Sequence, residues 1–116
     1  MSDNVLLLAF QGELMCFAHV LLHAQDLNEK GLNVKVIIEG AATKLIPELE
    51  KPYTPFHELY LKVKNAGLFE CVCKACAAKM GTLEAAKAHN FTINGEVLGH
   101  PGLSEYLQQG YQIITF

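Results

Sequence analysis

The chemistry this chain can do concentrates in its four cysteines, Cys16, Cys71, Cys73 and Cys76, three of them in the run Cys71-Val72-Cys73-Lys74-Ala75-Cys76. Leu68 to Val72 reads as a strand. Cys73 to Met80 reads as a short helix closed by Gly81, so Cys73 stands where the strand gives way to the helix. A thiolate in the first turn of a helix faces amide hydrogens that have no helical partner, together with the positive end of the helix dipole. Both favour the ionised form and can bring a thiol from about 8.5 down towards 3.5–7.5. Lys74 adds positive charge next door. Cys76 follows about one helical turn later, placed to resolve a persulfide on Cys73 or to close a disulfide with it. Cys73 and Cys76 are therefore the candidate catalytic residues.

Other readings of the same residues exist. Cysteine is among the most often buried residue types and packs as a small apolar group. Cys71, inside the strand, and Cys16, in mid-helix, read as core, and core filling remains open for Cys73. Cys71, Cys73 and Cys76 with His89 or His100 form a conceivable soft metal set. Structural zinc usually draws on two separated ligand pairs, however, and here there is one cluster with two thiols on one strand. Neither metal nor cofactor is expected. His19 and His23 share a helix face with Cys16 but lack the Glu of an H-E-x-x-H motif, so they read as solvated surface or a subunit contact. His57 reads as surface. Glu39 reads equally as a base at the sheet edge or as a cap at a helix start. Gln11-Gly12 offers one glycine, too few for a phosphate cradle.

The elements that must position these residues alternate between strand and helix. Val5 to Phe10 is a continuous apolar run, as in a strand buried on both faces. Glu13 to Lys30 turns helical, with Leu14, Phe17, Leu21 and Ala24 on one stripe and Gly31 as its stop. Val34 to Ile38 is a second strand, followed by a short helix over Ala41 to Glu50 that Pro47 bends or splits. Phe56 to Asn65 is helical, and Thr82 to Ala88 forms another helix with Thr82 as its cap. Phe91 to Leu98 is a strand or small hairpin broken at Asn94-Gly95. Pro101 opens a last helix through Gln109, and Tyr111 to Phe116 closes the chain as a strand. Connections of this length suit right-handed parallel crossovers. The expected fold is α/β: one domain over 1–116, three layers α/β/α, with a mostly parallel sheet of about five strands. In such a sheet the strand carboxyl ends share one edge, which gathers Gln11-Gly12, Glu39-Gly40, Cys73 and Gly99-His100.

Composition narrows the function classes. Of 116 residues, 51% are hydrophobic and 18% charged, enough apolar material for a core and unlike a disordered chain. A net charge of −3 with no basic cluster argues against nucleic acid. No basic amphipathic helix or run of about 20 apolar residues points to a membrane. The polar Met1-Ser2-Asp3-Asn4 start lacks the pattern of a signal peptide. A cytoplasmic location, with its cysteines reduced, is expected.

The segment Val72-Cys73-Lys74-Ala75-Cys76-Ala77-Ala78-Lys79-Met80-Gly81-Thr82 resembles the sulfur-relay proteins of the DsrE/DsrF/TusD group. In that group a cysteine just after a strand is followed by a short Ala-rich helix and a glycine eight positions on, the spacing of Cys73 and Gly81. Val36-Ile37-Ile38-Glu39-Gly40 and Gly110-Tyr111-Gln112-Ile113-Ile114 are similar to the family's second-strand end and closing strand. The resemblance implies a homo-oligomer, trimer or hexamer, with sulfurtransferase-like persulfide transfer. Cys73 would accept sulfane sulfur from a protein donor and pass it to a protein acceptor. Two departures stand out. Cys71 and Cys76 are extra thiols, which leaves a redox or metal variant open, and Lys79-Met80 has one basic residue where some members have two. The alternative is a non-catalytic α/β oligomer that binds a small ligand or protein partner while its thiols are structural.

Overall fold

In the computed structural model, which describes residues 3–116, five strands form one all-parallel sheet in the order β4-β3-β2-β1-β5. They are β1 (Asn4–Ala9), β2 (Asn33–Ile38), β3 (Phe69–Cys73), β4 (Ile93–Asn94) and β5 (Gln112–Thr115). The helices are α1 (Leu14–Glu29), α2 (Ile46–Leu49), α3 (His57–Asn65), α4 (Lys74–Met80), α5 (Leu83–Ala88) and α6 (Ser104–Gln108), with a 3-10 turn over Gly40–Leu45 ahead of α2.

β1 lies inside the sheet, and its unbroken apolar run has that cause. Val5, Leu7 and Ala9 pack with Phe17, Val20 and Leu21 of α1 in the larger core, whereas Leu6 and Leu8 enter a smaller one with Ile37, Cys71, Tyr106 and Tyr111. The layers are unequal. The larger core also takes residues of α2, α3, α4 and α5, while the smaller draws its helical cover from α6 alone. A register shift between Val36 and Ile37, opposite Phe69 and Cys71, leaves Glu70 as an extra residue in β3. A bulge of this kind changes which way the following side chains point. Phe69 thereby packs among the rings of Phe17, Tyr60 and Phe91, tilted or edge-on to each, while Cys71 turns to the smaller core.

Several boundaries differ from the sequence expectation. The stretch 41–50 divides into the 3-10 turn and a four-residue α2 with Pro47 in its first turn, where a missing N–H costs least. The strand in 91–98 shrinks to Ile93–Asn94, and Val97 and His100 pair across a tight turn instead. The last helix begins at Ser104, not Pro101. The Gly102 N–H is held outside it by the Glu96 carboxylate at 3.0 Å. His57 is buried rather than superficial, its Nδ1 2.7 Å from the Leu49 carbonyl oxygen. On α1, Val20 is fully buried, while Met15 and Leu22 are exposed. No helix among the described residues is long and apolar enough to cross a membrane.

Candidate functional site

Cys73 ends β3 and caps α4: its backbone is still extended (φ −65°, ψ 122°), and its side chain accepts from the amide of Cys76, the third residue of the helix. The Cys76 N–H donates to Cys73 Sγ at 3.4 Å. A thiol at this joint satisfies a donor that the start of a helix otherwise leaves unpaired. α4 then stops at Gly81, whose left-handed backbone (φ 75°) ends the helix at little steric cost.

The far wall of the site comes from the segment after β4. Gly99 lies against α4: its carbonyl accepts the Ala75 N–H at 2.8 Å, and a Cβ on Gly99 would meet the Ala75 Cβ at 2.9 Å. Its φ of 94° is a second reason for glycine there. Leu98 beside it also has positive φ (51°), and its side chain is 96% exposed. This turn lowers His100 over the cysteines. His100 Nδ1 stands 3.0 Å from Cys73 Sγ and 3.6 Å from Cys76 Sγ, and the Gly99 carbonyl lies 3.7 Å from Cys73 Sγ. The single Cys73 proton thus has two acceptors, an imidazole nitrogen and a backbone carbonyl.

Burial decides the ionisation of Cys73, against the sequence expectation. The residue is fully buried, and desolvation, with the neighbouring Cys76 thiol, pushes its thiol up to about 12, overcoming the opposing pull of the Cys76 amide. One amide lowers the thiol less than the loss of water raises it. The helix start therefore does not by itself make Cys73 a ready thiolate. The surroundings are nonetheless polar: an amide hydrogen, a carbonyl and an imidazole, rather than hydrocarbon alone. Cys76 is half-buried and His100 exposed, so the cluster reaches the surface through them.

The remaining candidates separate. Cys71 is fully buried in the smaller core, and burial pushes its thiol up to about 12 as well. Cys16 is half-buried on α1. His89 is drawn away to the Glu50 carboxylate at 3.4 Å. His19 and His23 stack on each other and His23 on Phe116, a surface arrangement of rings. Glu39 precedes the 3-10 turn without a side-chain capping bond. Burial pushes its carboxyl above the usual range, against the pull of His100. A cleft of about 390 Å³ between α1 and α3 is lined by Gln25, Asn28, Lys62 and Asn65, with no thiol or imidazole among its walls. The group that the sequence left undecided is His100: the gathering of strand ends named it, and the turn at Leu98-Gly99 brings it in.

The model of the DsrE/DsrF-like family matches residues 14–116, and the chain belongs to that family. The membership points to a role of the sulfur-relay type. The chain is 36% identical to an uncharacterized protein of Methanocaldococcus jannaschii over 83% of its own length and 76% of that protein's. It is 40% identical to an uncharacterized protein of Archaeoglobus fulgidus over 37% of its own length and 70% of that one's. No solved structure matches the chain.

Proposed function

We propose that this protein carries sulfane sulfur as a persulfide on Cys73, with Cys76 as the second thiol and His100 as the proton acceptor. The observation that carries the reading is the 3.0 Å approach of His100 Nδ1 to Cys73 Sγ at the end of β3, with Cys76 beside both. In the closed site the thiol is protonated and unreactive. Opening of the 95–100 turn lets in water and the donor, and His100 takes the proton as the sulfur ionises. The Cys73 thiolate attacks the outer sulfur of a donor persulfide. The donor leaves as a thiolate, and Cys73 keeps an S–S bond to the transferred sulfur. A thiolate of the acceptor protein repeats the attack on that sulfur and frees Cys73. Cys76, nearer the surface, meets the partner first and guards the mouth.

Family membership supports this reading, and so does the pairing of a nucleophile with a base, the arrangement that activates a weak nucleophile. The exposed Met15, Leu22 and Ile114 on α1 and β5 are apolar surface that self-association would cover. The complete burial of Cys73 favours one competing reading, a structural thiol in a binding scaffold. Mass spectrometry after incubation with a sulfane-sulfur donor separates the two. The relay adds one sulfur atom to wild type and none to Cys73→Ser. An unmodified wild type beside a readily loaded control protein removes the relay and leaves the scaffold.

A further inference from the structure

Cys73 Sγ, Cys76 Sγ and His100 Nδ1 converge from the end of β3, the first turn of α4 and the turn after β4, and all three atoms lie within 4.8 Å of one another. We propose that these three side chains bind one zinc ion, leaving its fourth position open. Two thiolates and one imidazole form the borderline-soft donor set that zinc takes, and three protein ligands plus one open position is the pattern of its reactive sites. A tetrahedron with ordinary zinc bond lengths puts sulfur and nitrogen about 3.6 Å apart and two sulfurs about 3.8 Å apart. The Cys76–His100 edge of 3.6 Å already matches. The Cys73–His100 edge of 3.0 Å falls short by about 0.6 Å, and His100 sits on an exposed turn that can yield that much. The geometry also sets Cys71 aside: its side chain belongs to the smaller core, so the awkward pair of ligands on one strand does not arise. Binding releases the proton of each thiol to solvent, with no change of oxidation state.

Zinc binding stands on the ligand geometry alone. Its consequence for sulfur transfer rests on the relay reading: both thiols are then metal-bound, so zinc and persulfide exclude each other. The test is titration of the reduced full chain with zinc against a chromogenic chelator, with cobalt(II) substitution as a spectroscopic check. The expected results are one ion per chain, thiolate-to-cobalt charge transfer and the intense visible bands of a tetrahedral ion. Loss of an orienting neighbour costs about 10–100-fold in metal affinity, so His100→Ala and Cys76→Ser, which removes a ligand itself, should each weaken binding by at least about 10-fold. Cys16→Ala should bind as wild type. Circular dichroism of His100→Ala, altered on an exposed turn, secures the comparison if a cysteine variant misfolds. No bound ion, an octahedral cobalt spectrum, copper(I) bound in place of zinc, or equal affinity in His100→Ala and wild type would each overturn the site. Zinc binding without any sulfur loading defeats the relay and leaves the metal site standing, and loading without zinc binding does the reverse.

Discussion

Two clusters, each with a histidine at its rim, occupy different regions of this molecule. In the first, Glu50, just after α2, accepts from the Tyr60 hydroxyl and from Lys64 Nζ at 2.7 Å, and faces His89 Nδ1 at 3.4 Å. Lys64 lies over the rings of Tyr60 and Phe91. In the second, at the end of β3, the central atoms are two thiol sulfurs under His100. The Glu50 cluster is hard and paired. Burial raises its carboxyl, but the bonds from Lys64 and Tyr60 win and hold it below its usual range. The Cys73 cluster is soft, the Cys73 proton has alternative acceptors, and its cover is a turn tied to α4 by the Ala75–Gly99 bond. The contrast shows what separates a clasp from a reaction site. A carboxylate already held by a hydroxyl and an ammonium can only hold, whereas a buried thiol beside an imidazole can be switched by exposing it.

The comparison breaks first at the nucleophile. Cys73→Ser should lower sulfur loading by at least about 100-fold, as expected when the atom that forms the covalent intermediate is removed, with the unfolding curve nearly unchanged. Glu50→Gln should load within about twofold of wild type, because it touches no reacting atom. Equal losses in both variants, read by mass spectrometry, would mean that loading merely follows stability. Next comes the base. His100→Ala should slow loading about 100-fold near neutral pH, the lower range for positioned acid–base groups, while His89→Ala should not slow it. Rates under excess donor check both.

The clasp gives smaller effects. Glu50→Gln should cost about 2 kcal/mol in urea unfolding, since Lys64 is left partly buried without its counter-charge. The sign with pH is fixed. A carboxyl held below its unfolded value of 4.5 stabilises above that pH and loses its contribution as the pH falls through the lower folded value. The deficit of Glu50→Gln should therefore be full at pH 7 and shrink in acid. Least in free energy is Gly99→Ala, about 1 kcal/mol for an alanine at positive φ. The clash with Ala75 should lift the turn, so Cys73 should react faster with a small thiol reagent. Unchanged reactivity would show that the turn is not the cover.

Much of this molecule was legible in the residue order. The run Val5–Phe10 and the β-branched 34–38 marked parallel strands, because strands covered on both sides need no polar alternation. Leu68–Val72, the Ala-rich run and Gly81 placed Cys73 at a strand-to-helix joint to within one residue. Its acidity was not legible. Proximity to a helix start favours the thiolate, but the outcome depends on how much water the folded chain leaves around the sulfur, and residues 99–100, far along the chain, decide that. As a fourth metal ligand, His89 and His100 stood level in the sequence, and only the shared edge of the strand ends pointed to His100. Local pattern fixed the elements and the position of Cys73, since periodicity and caps act within a few residues. Only the tertiary structure decided the company that Cys73 keeps, because burial and approach come from the bulge at Glu70, the turn at Leu98-Gly99 and the packing of segments distant in sequence.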